Sequence, residues 1–496
     1  MTPVSRRRFL GQSALATSAF FISKSLTSCG GKSANDAINV AVVGFRGRGA
    51  EHIKSFSGMK GVRVAALCDV NTKVLAKQAE GLKTQGVEVQ TYQDIRKLLE
   101  NKDIDAISIA TPNHWHALAG IWAMQAGKDV YVEKPVSHNV WEGRQLVNAA
   151  RKYDRIAQTG SQIRSSHAIR DAVQWVQAGN LGKITLARGL CYKRRNSIGK
   201  SKGPLEAPAE VDLDLWFGPA QKEPVNRKKL DYDWHWQWAC GNGDLGNQGV
   251  HQVDIARWFL GESDIAPRAW SVGGRLGYED DGETPNTQII YQAYAKAPLI
   301  FEVRGLPAQK AADPAAKEAK GEKDGADMDK FMGAQIGCII HCEGGHILVP
   351  NYDSAIAYDK AGKEVKSWDG ANDHFENFIA AVRSRKRSDL TAEVLEGHIS
   401  AALCHTGNIS HRLGANKTVD EIKQTVGSDA GAAETLDRML AHLAANGVDL
   451  AATPLTLGPT LEFDPKTEKA VGNDAAAKLL TREYRAPFTV PEIALG

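Results

Sequence analysis

Cysteine is scarce and unpatterned. Seven occur in 496 residues, with no C-x-x-C pair and no zinc-like spacing against the 14 histidines, so no metal site is expected. Net charge is nearly absent as well. The first 28 residues hold Arg6, Arg7, Arg8 and Lys24 and no acid, so the remainder carries −1 against +3 for the whole chain. A near-neutral body argues against a nucleic-acid binder that works by neutralising phosphates. Long hydrophobic runs are missing too: the stretch Ala14 to Ile22 is too short to span a bilayer comfortably. What remains, 43% apolar and 24% charged residues, is the composition of a globular chain with room for two or more domains.

The short apolar stretch has a different reading. Ser5-Arg6-Arg7-Arg8-Phe9-Leu10 is a twin-arginine pattern, and Ala14 to Ile22 follows it as a signal h-region would. Leu26-Thr27-Ser28-Cys29 resembles a bacterial lipobox, in which the cysteine carries a lipid anchor; small residues there also suit ordinary signal cleavage. Residues 1–35 are therefore expected to be an export address leading to the periplasm, with Cys29 as the anchor point. This route moves proteins already folded, often with a cofactor inside.

A nucleotide fold is expected next, over residues 36–160. Ile38 to Val43 is a nearly continuous run of strand formers, feeding Gly44-Phe45-Arg46-Gly47-Arg48-Gly49 and a helix near Ala50. A second apolar strand, Val62 to Cys68, ends in Asp69, 20 residues after Gly49. Strand, glycine turn, helix, strand and acid form the dinucleotide fingerprint, although Arg46 stands where the second glycine is usual. Glycines let the backbone approach a pyrophosphate, and the helix start offers free N–H groups. Asp69 can accept from ribose hydroxyls and would repel a 2′-phosphate, favouring NAD over NADP. Alternation continues with strands at Ala106–Ala110, Asp129–Glu133 and Ile156–Thr159 and helices at Ala117–Ala126 and Trp141–Arg151, which implies a doubly wound parallel sheet. Two motifs fall at strand ends, where such sheets bind ligands: Thr111-Pro112-Asn113-His114-Trp115-His116 and Glu133-Lys134-Pro135.

At these residues the sequence resembles the Gfo/Idh/MocA oxidoreductases, the family of glucose–fructose oxidoreductase and inositol dehydrogenase. Glu133-Lys134-Pro135 stands about 85 residues after the glycine turn, and Gly249-Val250-His251-Gln252-Val253-Asp254 resembles the family's G-x-H-x-x-D segment. The resemblance implies a Rossmann domain followed, over residues 161–415, by an α/β domain with a large open, mostly antiparallel sheet. One face of that sheet often serves association, so a homo-oligomer is expected. It also implies that Lys134 lies beside the nicotinamide and that His251 takes the substrate's hydroxyl proton. Many members have aspartate four places before that histidine; here it is Asn247, which can hydrogen-bond but cannot stabilise an imidazolium by charge. Cofactor contacts are expected from Gly44, Arg46, Gly47, Arg48, Gly49, Asp69, Thr111, Asn113, His116, Glu133 and Lys134. Asn247, Asp254, Trp236 and Lys193 are the expected substrate contacts.

The residue types suit oxidation of a carbinol, which needs a proton acceptor and a cation for the developing alkoxide. Tyr232-Asp233-Trp234-His235-Trp236-Gln237-Trp238 reads as one aromatic face of a strand or extended loop, fit either for sugar faces or for sheet core. Tyr192-Lys193-Arg194-Arg195 follows the strand Ile184–Leu190 and reads either as cationic substrate contacts or as a solvated turn. His114 and His116 are read equally as cofactor-loop contacts or as capping residues. Cys338 and Cys342 share a strand face as buried thiols. Pro307 to Lys330 reads as an exposed insertion, and residues 416–496 carry no interpretable motif. Three functions remain in view: a NAD-dependent sugar or cyclitol oxidoreductase, a glycosidase working through a transient keto-sugar, and a non-catalytic sensor on the same fold.

Overall fold

The computed structural model describes residues 37–227, 230–309 and 328–495; the twin-arginine segment, Cys29 and most of Pro307–Lys330 lie outside them. Six strands, β1 (Ile38–Val43), β2 (Val62–Cys68), β3 (Gln90–Tyr92), β4 (Ala106–Ile109), β5 (Asp129–Val132) and β6 (Ala157–Thr159), form a parallel sheet in the order β3-β2-β1-β4-β5-β6. β4 and β5 are buried along their whole length, as expected of strands covered by helices on both faces. Strand order reverses between β1 and β4, which opens the crevice where such sheets take ligands. The helix expected from Ala117 starts at Asn113 instead, because Pro112 stands at its N-cap with φ −58° and needs no N–H there. Four of the six residues of the Thr111–His116 motif are thus the first turn of a helix that starts at the crevice.

The second sheet has twelve strands: β7 (Ile184–Tyr192), β8 (Arg268–Gly274), β9 (Thr287–Gln292), β10 (Leu299–Arg304), β11 (Ile336–Cys342), β12 (Gly345–Val349), β13 (Ser354–Asp359), β14 (Glu364–Asp369), β15 (Ala415–Lys417), β16 (Leu455–Leu457), β17 (Leu461–Phe463) and β18 (Ala470–Val471). Its main path runs β14-β13-β12-β11-β7-β10-β9-β8-β16-β15, antiparallel except for the parallel pair β7–β10. The inward face of β7, β10 and β11, with Ala187, Cys191, Phe301 and Cys338, packs on helices Val250–Leu260 and Val394–Arg412. These helices carry His251 and most of the site's support.

Residues 416–496 are woven into both lobes. Helices Val419–Val426 and Ala430–Ala445 lie on the outward face of the sheet, sharing a core with Val272, Ile289 and Ile300. Beside that core, Arg438 bonds the buried Glu302 at 2.6 Å and Arg188 bonds Glu434 at 2.6 Å, with the Tyr192 hydroxyl donating to Glu302 at 2.7 Å. The chain then returns to the first lobe, where Phe488, Val490 and Ile493 join the core built on Ala119 and Ile121. From Ile38 onward the molecule clusters as one compact unit.

Phe488 is fully buried between Trp115 and Trp122, with ring centroids 5.6 and 6.3 Å away. Phe488→Ala is expected to cost about 3–5 kcal/mol, the range for truncating a buried aromatic. Denaturant unfolding of the purified variant measures it; a loss below about 1 kcal/mol would show that the C-terminal return is dispensable to the first lobe.

Candidate active site

A cavity of about 890 Å³ runs along the carboxyl ends of β1, β2, β4 and β5 and is closed from the other side by the second lobe. Its floor is the glycine turn. Gly47 caps helix Arg48–Ser57 at φ +59°, and a side chain there would point into open space. A Cβ on Gly49 would stand 2.0 Å from the Gly44 carbonyl oxygen, so the turn closes only with glycine at this position. No side chain caps the helix, so its first N–H groups remain available to an anion. Asp69 accepts from Asn71 N at 2.9 Å and Phe45 N at 3.5 Å on the cavity wall. A dinucleotide fits this set: a bare helix start for the pyrophosphate and a carboxylate at the end of β2 for the ribose. Thr111 adds a buried hydroxyl oxygen without a hydrogen-bond partner on the same wall.

Arg46, in place of the usual glycine, leaves the turn and pairs with Asp231 of the second lobe at 2.5 Å. Arg48 pairs with Glu133 at 3.0 Å. Glu133 also takes bonds from His52 at 3.1 Å and Gln162 at 3.2 Å, and accepts from Lys134 N at 3.2 Å. Burial alone would raise its carboxyl, but His52, Arg48 and Lys134 hold it well below the usual carboxylate range. Glu133 therefore positions the turn and Lys134. His116 bridges two backbone carbonyls, Pro135 O at 2.6 Å and Thr111 O at 2.7 Å, bracing the two strand-end motifs against each other. Asn113 donates to Asn242 Oδ1 at 3.0 Å. His114 lies against the carbonyls of Trp216 and Cys240 and is a packing residue.

Lys134 Nζ donates to the main-chain oxygen of Asn247 at 2.5 Å, across the two lobes. That oxygen belongs to a widened helical turn, Leu245–Gly249, of the kind that takes a carbonyl off the regular ladder. Burial lowers the Lys134 ammonium below its ordinary value; Glu133 opposes this, while Arg48, Lys193 and Arg195 reinforce it. His251 follows one turn later in the cavity wall, its ring tilted 50° to that of Tyr352 with centroids 5.1 Å apart. Its Nδ1 is buried without a protein partner. Burial, then the Lys134 charge, pushes the imidazole down to about 3, so it is neutral at ordinary pH.

Four expected substrate contacts need correction or refinement. Asp254 is not in the cavity: Arg164 grips it at 2.8 and 3.0 Å and Ser400 donates at 2.6 Å, so it ties helix Val250–Leu260 to its neighbours. One helical turn from His251 is enough to aim the carboxylate into the core instead. Trp236 is also outside, because Asp233–Trp236 forms a 3₁₀ turn and the alternation expected of a strand is lost; its ring lies under Arg195 at 5.2 Å. Lys193 does not line the cavity and acts on Lys134 only through its charge. Asn247 does line it, but its side chain donates to the Tyr232 hydroxyl at 3.3 Å and not to His251. The sequence reading missed Tyr352, Glu210 and Asp231 on the wall, and drew Trp236 from the aromatic stretch where Tyr232, Trp234 and His235 are the members exposed to the cavity. The 3₁₀ turn is what selects them, and no residue spacing announced it.

A Rossmann groove joined to a lysine and a neutral histidine defines a nicotinamide-dependent oxidoreductase fold. Residues 38–161 match the family model described as an oxidoreductase family, NAD-binding Rossmann fold, and residues 166–302 match its C-terminal alpha/beta domain. The chain belongs to the Gfo/Idh/MocA oxidoreductase family, and NAD is the cofactor its groove serves. It is 26% identical over 231 residues to levoglucosan dehydrogenase of Pseudarthrobacter phenanthrenivorans, covering 45% of this chain and 52% of that one. It is 35% identical over 125 residues to a glycosyl hydrolase family 109 protein of Shewanella pealeana, covering 24% and 27%. The chain thus spans between about a quarter and a half of the length of these curated relatives. In fold it is similar to the WlbA dehydrogenase of Bordetella pertussis solved with NADH and UDP-GlcNAcA: TM-score 0.54 at 17% identity, covering 76% of this chain and 97% of the other.

Gly49→Ala is expected to abolish nucleotide retention while leaving the fold intact, since the clash falls on the turn alone. Nucleotide released on denaturation, set beside the circular dichroism spectrum, checks this; normal NAD content in the variant would count against the turn as the pyrophosphate seat.

Proposed function

We propose that this chain is a NAD-dependent oxidoreductase that acts on a secondary hydroxyl of a sugar, glycoside or cyclitol and holds its nucleotide tightly. One observation carries the reading: the glycine turn, the Lys134 ammonium and the neutral His251 imidazole open onto a single cavity. Bound NAD supplies the hydride acceptor. Lys134, fixed by the Asn247 carbonyl, holds positive charge beside the developing alkoxide. His251 accepts the hydroxyl proton; the negative charge of the forming alkoxide raises its affinity for that proton when it is needed. Names of relatives support the substrate class, levoglucosan dehydrogenase above all.

Support for tight retention comes from the second lobe. Thr72 N donates to Glu210 O at 3.0 Å and Asp212 N to Val70 O at 3.2 Å, and Asn71 bridges with Val211, so this segment is stitched over the β2 end of the groove. The twin-arginine pattern and the Cys29 lipobox support export to the periplasm as a lipid-anchored protein. A compartment without a nicotinamide pool favours a captive cofactor recycled on the enzyme. Any homo-oligomer would form away from the strip of sheet covered by helices Val419–Val426 and Ala430–Ala445. The family 109 relative supports a second reading, a glycosidase that oxidises a ring carbon transiently and restores NAD. Free hexose released from a glycoside panel would favour it; accumulated keto-sugar favours net oxidation.

Mass spectrometry of the purified protein is expected to find bound NAD(H). Sugar alone is expected to yield at most one equivalent of NADH per site, and a keto-sugar acceptor to restore turnover. Loss of NAD on simple dialysis would sink the captive-cofactor proposal.

His251→Ala and Lys134→Ala are each expected to lower turnover roughly a hundredfold or more, the scale of a lost acid–base or oxyanion group, with nucleotide content kept in the His251 variant. The pH profile of kcat/KM follows from the same groups. Activity needs His251 neutral and Lys134 charged. His251 titrates at about 3, so the acid side stays flat down to about pH 5; Lys134 lies below its ordinary 10.5, so activity falls on the alkaline side before that value. An acid limb near pH 6.5 that disappears in His251→Ala would keep His251 as the proton acceptor but contradict its lowered titration.

A further inference from the structure

One cation, Arg46, stands beside the carboxylate that meets the cofactor's ribose, and a second, Lys73, lies just outside the cavity wall. Arg46 follows Phe45, whose N–H donates to Asp69, and Lys73 sits in the first turn of helix Thr72–Lys83 just beyond β2. In a Rossmann groove, basic groups at this place are what a 2′-phosphate would seek. Both are taken. Lys73 Nζ meets Glu210 at 3.3 Å and Arg46 meets Asp231 at 2.5 Å; both carboxylates belong to the second lobe and line the cavity, Asp231 beyond helix Leu213–Phe217 and Glu210 in the segment before it. Backbone bonds hold that segment in register: Thr72 N to Glu210 O at 3.0 Å and the Asn71–Val211 bridge. Glu210 is therefore fixed over Lys73 by its own main chain.

We propose that Glu210 and Asp231 set the preference for a cofactor with a free 2′-hydroxyl, by occupying the two cations that would otherwise hold a 2′-phosphate. The inference rests on the NAD reading and deepens it. Asp69 alone repels a phosphate, but a lysine and an arginine at the same rim would offset that repulsion. With both cations matched to carboxylates of the opposite lobe, the rim carries one more negative than positive group, and a dianionic phosphate has no charge to pair with. The Arg46–Asp231 pair is half-exposed and Lys73 is open to solvent, so each contributes a modest factor, at most roughly two- to fivefold in discrimination, and together they multiply.

The test uses the full-length protein equilibrated with equimolar NAD⁺ and NADP⁺, desalted, acid-released and quantified by mass spectrometry. Glu210→Gln with Asp231→Asn is expected to raise the retained NADP:NAD ratio by roughly four- to twenty-five-fold, the product of the two single factors. Glu210→Gln alone, at a partly solvent-facing carboxylate, shifts it less and in the same direction. Adding Lys73→Met and Arg46→Met to the double variant returns the ratio towards the wild-type value, since the freed cations are what captures the phosphate. An unshifted ratio in protein that retains NAD, or an equal loss of both nucleotides, overturns the inference and leaves the NAD reading standing. Wild-type protein that retains NADP⁺ in preference to NAD⁺ overturns both.

Discussion

Everything at the site hangs on one buried carboxylate. Glu133 ends β5 with its oxygens held by Arg48, His52 and Gln162 and by the N–H of Lys134. Arg48 opens the helix after the glycine turn, His52 lies one turn further along it, and Gln162 begins the passage into the second lobe. A single ion thus fixes the pyrophosphate seat, the end of the strand and the place from which Lys134 departs. Gly160 clears the space, since a Cβ there would stand 2.7 Å from the carboxylate. Breaking one partner of such a buried group typically costs about 3–5 kcal/mol, because the charge left behind has nowhere to go. The family signature therefore reads as a positioning device joined to a reacting group, with adjacent residues in separate roles.

The second constraint is that neither lobe holds the site alone. Lys134 leaves the first lobe and finds its acceptor on a widened turn of the second; Asn113 does the same with Asn242. Residues 416–496 add to this joining from behind: Arg482 donates to the Ala239 carbonyl at 2.8 Å and Arg485 pairs with Asp214 at 2.6 Å, on elements that wall the cavity. The tail that carries no motif is a fastening between lobes.

How much of this was legible beforehand follows from the physics of each signal. Periodicity and the glycine turn marked β1, β2, β4 to β6 and their helices within a few residues, because buried parallel strands and helix starts depend on local sequence. The turn residues, Asp69, Lys134, Asn247 and His251 all reached one cavity for the same reason: each lies at a strand or helix end with a recognisable spacing. Asp254 and Trp236 failed because their facing depends on a helix rotation and a 3₁₀ turn that no residue pattern encodes. Glu210 and Asp231 were illegible for a stronger reason. They act through partners more than a hundred residues away, and only the docking of two lobes creates those pairs.

The division of charge within the cavity follows from the same docking. Lys134 and His251 are both desolvated, but the lysine keeps a carbonyl acceptor and its strongest charge partner is Glu133, whereas the strongest charge acting on the imidazole is the lysine itself, with Glu133 and Asp254 opposing more weakly, and its Nδ1 has no partner among the described residues. Desolvation therefore lowers both groups, while Glu133 opposes the fall at Lys134 more than at His251, so the imidazole is neutral at ordinary pH and the nearest carboxylate favours the charge on the lysine. Asn247 is consistent with that state. Its main-chain oxygen holds the ammonium while its amide turns to Tyr232, and it brings no negative charge that would draw a proton onto His251 before substrate arrives. An aspartate in its place would stand near Asp244, whose charge Arg195 already neutralises, and would add a second anion beside that pair. Asn247 is thus of one piece with the local ion pairing: the carboxylate just before this turn, Asp244, is paired with Arg195, and the proton acceptor is left to be governed by the substrate's own developing charge.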